Sequence, residues 1–191
     1  SHESAIYIND HSNNAATVLG NIQDIMGGIL EKVEEKTKDL PPFGFDDVAL
    51  QARDLAQTPY RKPPVVDARR AALDYDAVRR IQFRQPQALW RGTGSLFEMH
   101  FFPVAGEYVV RALRLNEVTD GNVRALKLPA SIFDNDGVIP PDPAGAPALI
   151  AGWKLTYPLN AAGKRDEVAA FLGSNYFRAL GQGQRYGLSA R

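Results

Sequence analysis

The sequence predicts a mainly β fold, a sandwich of antiparallel strands with a few short helices. Apolar residues in 97–102 and 150–159 follow the short, β-rich pattern of strands. Thirteen prolines and sixteen glycines in 191 residues indicate many turns, which favours short strands over long helices. A hydrophobic content of 45% is enough for a sizeable core. Short strands separated by frequent turns are typical of a sandwich.

Residues 1–42 differ from the rest of the chain. Apolar residues recur there at spacings of four, three, four and four, namely Val18, Ile22, Ile25, Ile29 and Val33. This stripe predicts an amphipathic helix, which Pro41 and Pro42 end. We interpret the helix as docked on the main body, with self-association as the alternative. The predicted organisation is an N-terminal extension, 1–42, followed by one domain, 43–191.

Two further helices are predicted before the strands begin. Asp46 or Asp47 can cap a helix that runs to about Leu55 and is bounded by Pro59. A shorter helix is expected over Tyr75–Arg80. A third helix is predicted near the end of the chain, over 166–172, with Asp166 as its cap.

The remaining elements are predicted to be strands and turns. The strands 97–102 and 108–115 flank a turn at Gly106, which suggests a hairpin. Further strands are expected at 123–128 and 150–159, and the chain after 172 returns to strand and turn. The DNDG run at 134–137 lacks the distal glutamate of a calcium loop, so we interpret it as a turn closed by side-chain hydrogen bonds.

Composition excludes several classes of function. Twenty-two basic residues balance twenty-two acidic ones, so a nucleic-acid-binding surface is not expected. There is no cysteine, and the three histidines do not suggest a catalytic triad or a metal site. His100 is interpreted as a packed histidine. The glycines at 181, 183 and 187 do not match a dinucleotide-binding motif, and no cofactor is predicted.

Side chains suited to ligand binding are concentrated in residues 172–191. Aromatic rings, arginines and glutamines alternate there on a glycine-bent backbone. Aromatic faces stack on the apolar faces of sugar rings, while Arg and Gln bind hydroxyls. The predicted binding residues in this segment are Tyr176, Arg178, Gln184 and Tyr186. Trp90, beside Arg91 and a GTG loop, and Glu117 are added as candidates, each with packing or structural hydrogen bonding as the alternative.

Several motifs together resemble the periplasmic glucan biosynthesis proteins of the G and D types (MdoG/OpgG and OpgD). They include FGFDDV at 43–48, LNEV at 115–118 and GWKLTYPLN at 152–160. IQF and ALW within residues 75–90, and the strand 97–102, also fit. The most specific match is the run from DEV at 166–168 through LGSNYFRALGQGQRYGLSAR at 172–191. The resemblance covers residues 43–191 in collinear order and does not extend to 1–42.

The resemblance implies a galactose-mutarotase-like β-sandwich, incomplete in this chain, and a periplasmic location. Its implied ligand is a β-1,2-linked glucan, in the metabolism of osmoregulated periplasmic glucans. D-type members include inverting β-1,2-glucanases, which use one carboxylic acid and one base, whereas G-type members act beside a membrane glucosyltransferase. The family's catalytic carboxylates lie beyond the region matched here, so none is assigned and this chain alone is expected to be inactive.

Two expectations about assembly follow from the resemblance. A fragment of a sandwich should expose unpaired strand edges, so the chain is expected to form a homo-oligomer. A different class of function is also open: a non-catalytic scaffold that contacts a membrane glucosyltransferase and never cleaves glycan.

Overall fold

The computed structural model describes residues 4–9, 42–62, 67–107, 109, 111–173, 176–185 and 187–190. The chain divides into two compact units: unit 1 spans Ser1–Lys62 with Leu115–Ala125, and unit 2 spans Pro63–Arg114 with Leu126–Arg191. Several antiparallel sheets and a few short helices confirm the mainly β fold. The helix predicted over residues 18–33 lies outside the described residues.

The described residues contain short helices and strands, numbered here in chain order. The helices are α1 (Phe45–Ala56), α2 (Ala68–Ala71) and α3 (Tyr75–Arg80). The strands are β1 (Ser4–Asn9), β2 (Gln82–Phe83), β3 (Glu98–Pro103), β4 (Arg114–Thr119), β5 (Asn122–Ala125), β6 (Phe133–Asp134), β7 (Ile150–Ala161), β8 (Lys164–Leu172), β9 (Tyr176–Ala179) and β10 (Leu188–Ala190).

Unit 1 contains α1 and a sheet in the order β1-β4-β5. The β4–β5 hairpin turns at Asp120 and Gly121, with φ values of 51° and 76°. These angles match a type I′ turn, for which Asp-Gly is a favoured pair. A Cβ on Gly121 would lie 2.2 Å from the Cβ of Pro42, and the Phe43 N–H donates to the Gly121 carbonyl at 2.9 Å. The turn therefore fixes the chain just before α1.

The predicted helices of the N-terminal half are confirmed, with one correction. The N-cap of α1 is Gly44, and the Asp47 carboxylate accepts the Gly44 N–H at 2.8 Å. Asp47 therefore stabilises the helix from its first turn, where a carboxylate also favours the helix dipole. For α3, the predicted bounds are those observed, and the side chain of Asp74 accepts the N–H of Ala77 at 2.8 Å.

Unit 2 is built on a sheet in the order β10-β9-β8-β7-β3. Met99 and Phe101 pair with Leu155 and Trp153, so these side chains share one face, and Trp153 stacks on Phe171 at 4.2 Å. Because side chains alternate along a strand, Glu98 and His100 point to the opposite face. We call these the core face and the polar face of the sheet.

Two sequence predictions about this sheet are wrong. The hairpin of 97–102 with 108–115 does not form: β3 pairs with β7, and β4 pairs with β5. Residues 166–172 are not helical but belong to β8, in the interior of the sheet. The predicted strand over 123–128 is shorter, ending at Ala125. The strand predicted at 150–159 is confirmed as part of β7, and β9 and β10 confirm strands after residue 172.

A β-bulge interrupts the pairing of β8 with β7. Leu155 pairs with Ala169, but the next residue of β7, Thr156, pairs with Glu167. Val168 is therefore an extra residue, and its carbonyl accepts the Leu180 N–H at 2.9 Å. The bulge breaks the period of two that identifies a strand in a sequence.

The long loop between β6 and β7 is held by ion pairs. The buried Arg70 donates through Nη2 to the Asp142 carboxylate at 2.7 Å, and its Nε lies 3.6 Å from Asp67. In the DNDG run, the Asp134 side chain accepts the Asp136 N–H at 3.1 Å. The interpretation of this run as a side-chain-closed turn is confirmed.

Candidate functional site

The polar face of the unit 2 sheet contains a buried carboxylate bound by two arginines. Glu98 is buried, with Oε2 2.9 Å from Arg91 Nη2 and Oε1 3.1 Å from Arg165 Nη2. Arg91 approaches from a loop closed by two backbone hydrogen bonds between Leu89 and Met99, of 3.0 and 3.1 Å. Each carboxylate oxygen thus has a cationic partner, which offsets the cost of burying the charge.

His100 lies beside Glu98 on the same face. Its ring stacks on Phe83, with centroids 5.2 Å apart, and only 9% of the residue is exposed. Its Nε2 is 3.7 Å from Glu98 Oε2, too far for a hydrogen bond, and is buried without a partner. Burial and the nearby positive charge of Lys154 lower the pKa of His100, so the imidazole is neutral at pH 7. The interpretation of His100 as a packed histidine is confirmed.

The charged surface continues across β7, β8 and β9. Lys154 is the cross-strand partner of His100, and its Nζ lies 3.5 Å from Glu167 Oε2. Arg178 donates through Nε to Glu167 Oε1 at 2.7 Å, and its Nη2 also contacts that oxygen. Because of the bulge at Val168, Glu167 faces the same side as Lys154 and Arg178. The bulge therefore builds this acid–base cluster.

A groove of about 540 Å³ adjoins this cluster within unit 2. Tyr176 and Arg178 from β9 line it, together with Glu167 from β8 and Arg185 from the turn before β10. Its volume falls within the usual range for small-ligand sites, and its aromatic and charged groups are few but close together. The groove thus combines a stacking surface with planar donors and a carboxylate acceptor.

Of the six predicted binding residues, two line this groove: Tyr176 and Arg178. Gln184 instead closes a turn, in which its Oε1 accepts the Gly181 N–H at 2.9 Å. Tyr186 lies outside the described residues. Trp90 is half-buried at a φ of 67°, in the turn that carries Arg91.

Glu117 belongs to unit 1, whereas the groove belongs to unit 2. It is buried on β4 and its Oε2 accepts from Arg124 Nη2 at 2.5 Å. This ion pair joins neighbouring strands of a hairpin, since Glu117 and Arg124 are cross-strand partners. The structural alternative stated for Glu117 accounts for these contacts.

Sequence reasoning missed Glu167, Lys154 and Arg165 as members of the site. The helix predicted over 166–172 puts Glu167 in a first turn, where a carboxylate satisfies backbone N–H groups. A period-two reading of 164–172 places Arg165 and Glu167 on one face, and one extra residue at 168 puts that face on the side of Ala170 and Lys154. Nothing in the local sequence around Lys154 indicates its position opposite His100.

Two negative findings apply to the described part of the chain. Within it, no three side chains of His, Cys, Asp or Glu are grouped so that they could hold a metal ion. Also within it, none of the helices combines the length and the apolar character that crossing a bilayer requires.

Comparison with known proteins identifies several relatives that share one name. Glucans biosynthesis protein G of Ralstonia nicotianae is 40% identical over 151 residues, covering 78% of this chain and 30% of that protein. The protein of the same name from Rhodopseudomonas palustris is 39% identical over 153 residues, with the same two coverages. That of Pseudomonas putida is 38% identical over 154 residues, covering 78% of this chain and 26% of the relative.

The chain thus spans less than a third of the length of these relatives. A family model described as "Periplasmic glucan biosynthesis protein, MdoG" matches residues 43–191, which include both the groove and the polar face. The chain therefore belongs to the MdoG family of periplasmic glucan biosynthesis proteins.

Proposed function

We propose that this chain acts in periplasmic glucan biosynthesis by binding a β-1,2-linked glucan chain in the groove of unit 2. The observation that carries the proposal is that one groove unites Tyr176 with the Arg178–Glu167 ion pair and Arg185. Family membership and the relatives' name, glucans biosynthesis protein G, supply the class of ligand. The place of action proposed is the periplasm.

The groove's chemistry suits a neutral sugar. The ring of Tyr176 offers a flat apolar surface for the C–H face of one glucose unit. Beside it, the Arg178 guanidinium and the Glu167 carboxylate are held together, so donors and an acceptor face the ligand in a fixed arrangement. Vicinal hydroxyls require this combination, because each hydroxyl both donates and accepts.

Calorimetric titration of the chain with a linear β-1,2-glucooligosaccharide tests this function. We expect binding to the β-1,2 oligomer and none to a β-1,4 oligomer. Tyr176→Ala should weaken binding about fivefold, since an aromatic contact contributes about 1 kcal/mol. Tyr75→Ala is the matched control: Tyr75 is an exposed tyrosine of unit 2 outside the groove.

Two results would contradict the proposal. One is the absence of binding by a folded chain, with folding checked by circular dichroism. The other is equal affinity of Tyr176→Ala and the unsubstituted chain for the oligomer.

A second function, scaffolding of a membrane glucosyltransferase, is favoured by one observation. β10 ends the order of the described strands in its sheet, and its Leu188 is 69% exposed. Exposed edge strands readily pair with other chains. The test is a titration with the glucosyltransferase in the absence of glucan. If Leu188→Lys abolishes binding to the glucosyltransferase, this function is favoured over glucan binding.

A further inference from the structure

The polar face of unit 2 carries more positive charge than its carboxylates neutralise. Four cations lie along it, Arg91, Lys154, Arg165 and Arg178, against two carboxylates, Glu98 and Glu167. His100 adds no charge at pH 7. The whole chain has a formal net charge of zero, so this surplus is a local concentration rather than a general property.

The cationic groups remain accessible at the surface of this cluster. The side chains of Lys154, Arg165 and Arg91 are 31%, 33% and 43% exposed, whereas Glu98 and His100 form a buried floor. Each arginine uses one Nη atom on Glu98, and Arg165 Nη1 also donates to the Leu96 carbonyl at 2.7 Å, so part of the five N–H donors of each guanidinium remains for a ligand. Cations above a poorly solvated floor interact with an added charge more strongly than cations on an open surface do.

His100 is an independent sign that the cluster is incomplete. Its Nε2 is buried without a hydrogen-bond partner, 3.7 Å from Glu98, although buried polar atoms are normally paired. Lys154 stands directly across from it on β7. Lys154 opposes protonation of this imidazole, so a further negative charge beside the two groups would favour the protonated ring.

We propose that the cluster of Arg91, His100, Lys154 and Arg165 on the polar face binds an oxyanion, such as a sulfate, phosphate or carboxylate group. The anion contacts the exposed ends of the lysine and the arginines and neutralises the surplus charge. Planar guanidinium groups favour such oxygens through paired hydrogen bonds. This site does not depend on the proposed glucan function, because it requires neither Tyr176 nor a sugar.

Titration of the amide NMR spectrum with sodium sulfate, at constant ionic strength and pH 7, tests the proposal. Sulfate keeps its charge over the relevant pH range. We expect saturable shifts confined to the residues around Arg91, 98–100, 154 and 165. Lys154→Gln should weaken binding about tenfold, as expected for loss of one charge-assisted contact.

Lys164→Gln is the matched control, because Lys164 is an exposed lysine of the same sheet, on β8. If Lys154→Gln does not fold, Arg91→Gln replaces it, since Arg91 lies in a loop. Non-saturable shifts, or equal weakening by Lys154→Gln and Lys164→Gln, would overturn the proposal. The same titration with glucose 6-phosphate, and with glucose as its uncharged control, then shows whether the site also binds an anion that is attached to a sugar.

The pH dependence of sulfate binding provides a second readout. His100 is faced by Glu98 on its own strand, by Lys154 on β7 and by Arg91 from the preceding loop, with Phe83 against its ring. A bound anion favours protonation of the imidazole, so sulfate should bind more tightly at pH 5.5 than at pH 7. His100→Gln should remove this gain, and an unchanged gain in that variant would exclude His100 from the site.

Discussion

At the scale of single residues, the buried polar groups of unit 2 distinguish its polar face from an ordinary surface. Glu98 is stabilised by two arginines, whereas His100 Nε2 lies 3.7 Å from Glu98 and is buried without a hydrogen-bond partner. Such a histidine favours the neutral state, because protonation would create a poorly solvated charge near Lys154. Its contribution to stability should therefore depend on pH.

We expect the chain to lose stability as the pH falls from 7.5 to 5.5, partly through His100. The pKa of His100 is lowered in the folded state, so below its usual value of 6.5 the unfolded chain binds the extra proton first. The loss from this residue is at most about 1.4 kcal/mol at pH 5.5. Urea unfolding at both pH values should show a smaller loss for His100→Gln. An equal loss in both proteins would show that other groups titrate instead.

At the scale of elements, the sheet of unit 2 combines dense backbone packing with an irregular strand. Gly152 on β7 lies against β8, where an added Cβ would be 2.2 Å from the carbonyl oxygen of Phe171. Backbone atoms of a central strand cannot move aside as a flexible side chain can. The pairing of β7 with β8 therefore requires a glycine at this position.

Gly152→Ala should destabilise the chain by about 3 kcal/mol, in the range of severe overpacking. Gly145→Ala is the control: its φ is 78°, but a Cβ there would meet nothing within 4 Å. The control should cost only about 1 kcal/mol, from backbone strain alone. Thermal or urea unfolding measures both, and similar costs for the two variants would contradict the predicted clash.

The elements also show how far the sequence predicts this structure. Acidic residues at its start and spaced apolar residues located α1, although its cap is Gly44, and the alternation of 97–102 identified β3. The helix α3 and the strand β7 were also expected at their observed places. Strand pairing was not predictable, because β3 pairs with β7 across many residues and no local signal encodes that contact. In the groove, Tyr176 and Arg178 were predictable from residue type, whereas Glu167 depends on the bulge.

At the scale of the whole molecule, the strands of unit 2 form an open sheet rather than a closed layer. Among the described strands, β10 and β3 are at its two ends, and β10 pairs only with β9. The exposed Leu188 adds an apolar side chain to this edge. Open edges of this kind favour association, so a homo-oligomer remains a prediction for this chain.

We predict that the chain self-associates at micromolar concentration and that Leu188→Lys shifts it towards the monomer. A lysine on an edge strand opposes pairing with a second copy, through both charge and solvation. Light scattering of both proteins at matched concentration measures the change. Leu96→Lys, at an exposed leucine of the loop before β3, should leave the mass unchanged. A strictly monomeric unsubstituted chain would refute the prediction.

The bulge at Val168 has a consequence for how this chain can tolerate a change in its length. Deleting Val168 would place Glu167 directly before Ala169 and still opposite Thr156, so β8 would pair regularly and its preceding residues would keep their faces. If Val168 were kept and paired with Thr156 instead, Arg165 and Glu167 would turn to the core face, and Glu98 and Lys154 would each lose one ionic partner. A loss of one residue at position 168 therefore preserves the two faces of β8, whereas flattening the bulge at constant length reverses them.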